Sequence, residues 1–368
     1  MSDIKIETLS PIHIGNGSFL QEGNDYIADD DYIYILNVDK FGSIIGEDPK
    51  SIQLWSDAIL NGSTSLFLKK RIQGHSIQDI TKRKIKRIAG SKMEQSSLKE
   101  CIHDGLGKPY VPGSSIKGAI RTVVMSSLAR KEIVQRLNKE SDQKKWKKII
   151  QDIEGELLHF EAYTKKGKRD TGPSSDIFRF FSTGDAFFDN GVEIAVKQIN
   201  LNITEKNSLL DMKKSQVVEA IKSGVSSQFR LLIGEDFYHY SGINDIYDLI
   251  KMINDHTYNL LCDEIDFWAK GAGSQYDGQD DYLDQLDIIL DMIEACQPNE
   301  CVLRIGQASG WRFVTGAWLE DIDKCYFKDV IVSQCRPKNF YYKDYPFPKS
   351  RRIDNSSNVF GFVKLTVL

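Results

Sequence analysis

Residues 110–128 read YVPGSSIKGAIRTVVMSSL, and the reading of the fold starts from them. Pro112-Gly113 is a turn signal. Ser114 or Ser115 then offers a hydroxyl that can cap a helix by accepting a free backbone N–H. Ile116, Ile120, Val123, Val124 and Leu128 recur at helical spacing and predict a buried face. Ser114, Lys117, Gly118 and Arg121 recur at i, i+3, i+4 and i+7, so they share a different face. That face is small, cationic and close to a helix start, which suits phosphate. First-turn amides lack intrahelical acceptors, and the helix dipole favours an anion there. Gly118 lets a sugar-phosphate backbone come close. Lys117 supplies a point charge, and Arg121 a fork for phosphate oxygens. The same letters also fit an amphipathic helix with a small-residue packing face and no ligand. A nucleotide-hydrolysing P-loop does not fit, because Lys117 precedes Gly118 and Ala119 follows it.

Outward from this helix, strands are expected at Ile4–Leu9, Tyr32–Val38, Leu98–His103, Ile177–Phe181, Glu193–Ile203, Ser226–Gly234, Val302–Ile305 and Val359–Val367. Pro11–Gly23 reads as loop, and Asp29-Asp30-Asp31 as an acidic hairpin tip. Asp48-Pro49 opens a helix through Leu60, and a polar break near Ser141 interrupts a helical stretch ending at Leu158. Lys165–Ser175 reads as an exposed loop. Two acidic helices, Asn244–Lys270 and Tyr282–Cys296, form a pair. No short repeat of solenoid period is present.

The 368 residues carry 48 Lys and Arg against 52 Asp and Glu, a net charge of -4. The charge is unevenly spread. Lys69–Lys92 holds nine bases against Asp79 alone, and Lys108–Lys148 eleven bases against three acids. Glu235–Glu294 holds fifteen acids against Lys251 and Lys270. A basic N-terminal half can serve as a nucleic-acid footprint even in an acidic chain. Six scattered cysteines contain no CxxC pair, so free thiols and no zinc site are expected. The N-terminus lacks the basic flank and apolar core of a signal peptide, and no apolar run is long enough to span a bilayer. A cytoplasmic location is the expectation.

PGSSIKGAIRT (residues 112–122) closely resembles the PGSSLKGALR-type motif of the RAMP superfamily, found in type III CRISPR systems. LSPIHIGNGSFL (9–20) resembles the family's first strand and following loop. FRFFSTGDA (178–186) looks like its strand ending in a small turn and Asp. IGQASGWRFVTG (305–316) and PKSRRIDNSSNVFGFVKL (348–365) look like its C-terminal glycine loop and closing strand. The resemblance implies an α+β fold. It would have two RRM-like, ferredoxin-like domains with antiparallel sheets, at 1–205 and 206–368, and a helical insertion at about 244–296. It also implies a guide-RNA (crRNA) binding subunit of a type III-A Csm complex, without a cofactor or catalytic residue. Such a subunit caps the backbone filament near the guide 3′ end, contacts neighbouring backbone RAMP subunits, has target RNA as a further candidate partner, and draws nucleases to the guide 3′ end.

Carried onto this sequence, the resemblance assigns RNA contacts to Ser114, Ser115, Lys117, Gly118 and Arg121. His13, Gly15 and Gly17 in the first loop join them, although a bracing histidine is an equal reading of His13. Gly306, Gly310, Trp311 and Arg312 in the second loop join them as well, with Trp311 as a stacking face. Gln307, Ala308 and Ser309 interrupt that loop's glycines, so a purely structural turn fits equally. Lys349, Arg351 and Arg352 form a basic cluster before the last strand. Lys69–Lys92 is expected to be a mobile, RNA-facing element. Because such a grip is on phosphate, it should ignore base sequence. Two other classes of function remain on the table. One is a metal-dependent ribonuclease using Asp29–Asp31; the other is a scaffold whose acidic helices dock a basic protein. His159 and Glu161 give an H-x-E, but the PCxxC of zinc deaminases is missing.

Overall fold

The structure is a computed structural model. It describes residues 1–46, 48–61, 67, 76–88, 97–129, 143–168, 170, 172–202, 210–270, 279–318, 320 and 350–368. Its strands, in chain order, are β1 (Ser2–Thr8), β2 (Gly15–Gln21), β3 (Tyr26–Ala28), β4 (Tyr32–Leu36), β5 (Thr81–Arg87), β6 (Ser97–Cys101), β7 (Tyr110–Val111) and β8 (Phe181–Thr183). They continue with β9 (Ala186–Phe187), β10 (Glu193–Asn202), β11 (Leu210–Ile221), β12 (Ser226–Ile233), β13 (Glu300–Arg304), β14 (Ser350–Asp354) and β15 (Phe362–Val367). The helices are α1 (Val38–Ile45), α2 (Pro49–Leu60), α3 (Gly113–Leu128), α4 (Gln143–Leu158), α5 (Glu235–Ser241), α6 (Ile246–Lys270), α7 (Gln279–Glu294) and α8 (Gly310–Thr315). The class is α+β, as expected from the sequence.

One sheet runs β13-β15-β1-β12-β8 with every pair antiparallel. Alternation builds it: Ile4 and Ile6 of β1 turn inward, while Asp3, Lys5 and Glu7 turn away. The α3 helix lies against this sheet. Ile116, Ile120, Val123 and Val124 are buried in the largest core with Phe181, Phe229, Leu231 and Val363. Each such side chain contributes roughly 1.5–3 kcal/mol of burial. The second sheet runs β2-β6-β11-β10-β5-β4-β3, with β14 also paired to β10. It is mixed: β11 runs parallel to β6, and β10 parallel to β5. Strands β7 and β9 form a separate two-stranded ribbon. Both large sheets take strands from either side of residue 205.

Several expectations need correction. Pro11–Gly23 contains β2, which pairs with β6, so it is not all loop. Ile177–Phe180 is a 3-10 turn, because Asp176 Oδ1 accepts the Phe178 N–H at 2.8 Å and bends the chain before β8 begins. The central part of the basic run at 69–92 is strand β5, held between β4 and β10, and not a mobile element. Its residues 69–75 and 89–92 lie outside the described residues. Asp29–Asp31 does form the tip between β3 and β4.

The acidic helices α6 and α7 are two-faced. Ile253, Leu260, Leu261 and Trp268 of α6 and Tyr282, Leu286, Ile289 and Ile293 of α7 face inward, while Asp255, Asp266, Asp280, Asp284, Asp287 and Asp291 are exposed. One acid, Glu264, is inside. It accepts from both Arg351 Nε and Nη2, from Trp268 Nε1 at 2.9 Å and from Tyr282 OH at 2.9 Å. Burial would raise its pKa, but the Arg351 guanidinium overrides burial and holds the carboxyl down at about 2. Cys101 and Cys301 are buried free thiols, and burial pushes both up.

Candidate nucleic-acid interface

The start of α3 is built differently from the expectation. Pro112 occupies the N-cap position and contributes no side-chain hydrogen bond. The Gly113 N–H instead donates to Asp185 Oδ1 at 2.7 Å, and Thr183 Oγ1 donates to the Gly113 carbonyl at 2.6 Å. A Cβ at Gly113 would overlap the Thr183 and Gly184 carbonyl oxygens, so only glycine allows this approach. Ser115 and Ile116 donate their N–H groups to the Pro112 carbonyl at 2.9 and 3.3 Å. Neither Ser114 nor Ser115 is therefore the cap. An acid brought from the β8–β9 connection caps the helix, and most of its first amides already have acceptors.

Ser114 and Gly118 are exposed, and Ser115 and Lys117 half-buried. A Cβ at Gly118 would meet nothing within 4 Å, so the space above it is open. Lys117 has no ion-pair partner among the described residues. Arg121 departs from the expectation. Its Nη1 donates to both oxygens of Asp176, at 2.9 and 2.7 Å, and Glu154 lies 3.7 Å from Nη2. Its fork is engaged by these two acids, with the side chain 27% exposed.

The two matched glycine-bearing loops come together, and the second also reaches α3. The Gln307 N–H donates to the His13 carbonyl at 2.9 Å, and a Cβ at Gly306 (φ +81°) would overlap that carbonyl. Ser126 Oγ of α3 donates to the Gly316 carbonyl at 2.7 Å. The segment from Gly306 to Gly316 thus bridges the N-terminal loop and α3. Gly15 and Gly17 are exposed beside it, as is Gly310. Trp311 is half-buried.

At this junction stand two cations that sequence reasoning did not unite. Lys99 of β6 donates to the Gln307 side-chain oxygen, and Arg352 of β14 donates to Gln198 Oε1 at 2.7 Å. Both partners are neutral amides. Burial, and after it the nearby Arg352 charge, lower the Lys99 pKa. Two like charges held by neutral acceptors are an arrangement that an anion would relieve. Lys99 carried no motif, and its contact to Gln307 spans 208 positions.

Other assigned residues are interior. His13 is fully buried, its Nδ1–H donating to the Glu219 carbonyl at 2.6 Å, and burial lowers its pKa to about 4. It is the bracing histidine, not an RNA contact. Arg312 is buried between Glu320, at 3.0 Å, and Glu264, at 3.7 Å. Arg351 is buried against Glu264. Both arginines are paired with acids in the interior, so neither faces solvent. Lys349 lies outside the described residues.

Among the described residues, Asp29–Asp31 does not form a cluster of metal-ligating groups. Asp29 accepts from the Asp31 and Tyr32 N–H groups and from Tyr34 OH, closing its own turn. Ligand atoms of Glu100, His103 and Glu219 lie within 4.8 Å of one another. The Arg83 guanidinium sits among them, donating to Glu219 and, at 2.8 Å, to Glu100. An arginine thus occupies that cluster and offsets part of its negative charge.

The comparisons fit this geometry. A Csm5 protein of Streptococcus thermophilus is 32% identical over 136 residues, 34% of this chain and 38% of that protein. A Csm5 protein of Mycobacterium tuberculosis is 21% identical over 255 residues, 63% of this chain and 66% of that protein. The match therefore spans less than two thirds of either relative. A chain of a cryo-EM Csm–crRNA–target RNA ternary complex from a type III-A CRISPR–Cas system superposes with a TM-score of 0.72 at 17% identity, over 100% of both chains. The crystal structure of T. onnurineus Csm5 gives 0.67 at 18% identity, over 99% of this chain and 100% of that one. The likeness to a fifth Csm subunit is thus met in sequence and in fold. The RAMP superfamily model matches residues 5–313, most of the chain, and with the glycine loops and α3 assembled as described the chain belongs to the RAMP superfamily.

Proposed function

We propose that this chain is a guide-RNA-binding subunit of a type III-A CRISPR (Csm) effector complex, gripping the guide by its phosphates. In this reading it caps the backbone filament near the guide 3′ end, touches neighbouring RAMP subunits and target RNA, and works in the cytoplasm. It aids guide maturation by drawing nucleases to the unfinished end, and it does not itself cleave RNA. The observation that carries the reading is Lys99 and Arg352, each held by a neutral amide where the glycine loops meet. Lys117 and the open Gly118 on α3 add a second contact line. The Csm5 likeness supports the same reading.

The test is the salt dependence of guide binding by the full chain. Each phosphate contact on a single strand adds about 0.7 to the log–log slope. Removing Lys99, Lys117 and Arg352 together should lower the slope by about 2, equally for unrelated guide sequences. An unchanged slope overturns the reading. An RNA cleavage assay with magnesium or manganese, comparing wild type with Asp29→Ala and Asp31→Ala, checks the nuclease alternative. No metal-dependent cleavage is expected.

A second reading, protein docking, rests on the exposed acids of α6 and α7 beside Ile288 and Met292, which are 45% and 38% exposed. Under it, subunit association would survive nuclease treatment and fail on charge reversal of Asp284 and Asp287.

A further inference from the structure

The β7–β9 ribbon presents an aromatic pair beside the start of α3. Tyr110 and Phe187 are cross-strand partners, and their rings stack with centroids 5.2 Å apart and planes 29° from parallel. Strand alternation sets their direction: Val111, Ala186 and Phe188 go into the core, while Phe187 goes out and is 47% exposed. The ribbon is well anchored. The Phe188 N–H donates to the Pro109 carbonyl at 2.9 Å, and Ser227 Oγ donates to the Phe187 carbonyl. Asp185, just before β9, caps Gly113, just after β7. One short ribbon therefore fixes the aromatic pair and the helix start in a single unit.

A single exposed aromatic side chain is ordinary on a protein surface. Here the ring is pre-stacked on a second ring, rigidly held and flanked along the chain by Lys108 and Lys117. Single-stranded nucleic acid is held by aromatic faces combined with cations along its phosphate backbone, and this ribbon also fixes the start of the helix that carries Lys117. The stacking face is sequence-tolerant, because every base has a π-face. We propose that the Tyr110–Phe187 pair is a stacking platform for one base of the RNA strand whose phosphates pass Lys117. This rests on the RNA-binding reading above and adds to it a fixed point for one nucleotide. The platform adds affinity without adding charge, so its effect separates cleanly from the phosphate contacts.

The experiment measures guide-RNA affinity across a salt series for the full chain, wild type against Phe187→Ala, Phe187→Leu and Phe187→Trp. A guide series carrying one abasic nucleotide at successive positions is bound in parallel. The expected result is a loss of about five- to a hundred-fold for Phe187→Ala. Phe187→Leu should lose a similar amount, Phe187→Trp should restore binding, and the salt slope should not change. One abasic position should weaken wild type and leave Phe187→Ala unaffected. Salt-dependent wild-type binding with no effect of Phe187→Ala, or an effect only on association with other subunits, overturns the platform and leaves the phosphate grip standing. Absence of salt-dependent binding in wild type instead removes the RNA reading itself. Circular dichroism of each variant identifies a folding defect, and Phe187→Trp keeps the test decisive if Phe187→Ala does not fold.

Discussion

Replacing Arg351 with methionine tests whether this arginine is an interior group or an RNA contact. In the structure it is buried and gives both Nε and Nη2 to Glu264. Removing it leaves a buried carboxylate that keeps only the Trp268 and Tyr282 hydrogen bonds and a guanidinium, Arg312, at 3.7 Å. Breaking a buried pair in this way costs about 3–5 kcal/mol. The pKa gives a similar magnitude. Glu264 is held at about 2 against an ordinary 4.5. That difference corresponds to about 3 kcal/mol. The sign follows from the depressed carboxyl. Its stabilisation is complete above about 4.5 and is lost as pH falls towards about 2. Chemical denaturation of Arg351→Met at neutral pH should show this loss. The double variant Arg351→Met with Glu264→Met should recover much of it, since the stranded charge is gone. Guide-RNA salt dependence should match wild type in every variant that folds. A single variant of unchanged stability with a reduced salt slope would refute the interior assignment.

Four further outcomes are expected. Gly118→Ala should stabilise α3 by about 0.8–1 kcal/mol through helix propensity, because its Cβ meets nothing, yet weaken guide binding by narrowing the approach. Gly113→Ala should destabilise the fold, because its Cβ meets backbone oxygens that cannot yield; thermal unfolding and binding isotherms distinguish the two glycines. Asp185→Ala should cost about 1 kcal/mol as a lost helix cap, seen by thermal unfolding, while Asp185→Asn retains an acceptor for Gly113. His13, down at about 4 from 6.5, should stay neutral in its folded NMR titration between pH 5 and 8. Since the unfolded chain binds that proton first, its contribution to stability falls as pH drops from about 6.5 to about 4.

Periodicity made much of this architecture readable. The apolar face of α3, the Asp48-capped α2, the alternating β1, β12 and β15, and β4 with its run of β-forming residues all appear where the letters place them. Strand β11 did not announce itself. Residues Val217–Ile221 are buried on both faces of a central strand, so no alternation survives, and Glu219 among them reads as a surface residue. The site was readable as charge but not as pairing. Arg121, Arg312 and Arg351 look as available in sequence as Lys117 and Arg352. Only the fold brings Asp176, Glu320 and Glu264 to them. Lys99 and Asp185 belong to the site through contacts that cross much of the chain, to Gln307 and Gly113. Lys99 stands in no motif, and Asp185 lies in the matched FRFFSTGDA segment without any sign there of its partner Gly113.

The most direct measurement is to map crosslinks between the guide strand and this chain inside an assembled complex, with peptides identified by mass spectrometry. Adducts should cluster on residues around Lys117, on the loop from Gly15 to Gly17, and near Lys99 and Arg352, with His13 and Arg351 unmodified. Adducts confined to the acidic helices at 246–294, or guide strands that never contact these loops, would contradict the proposed grip.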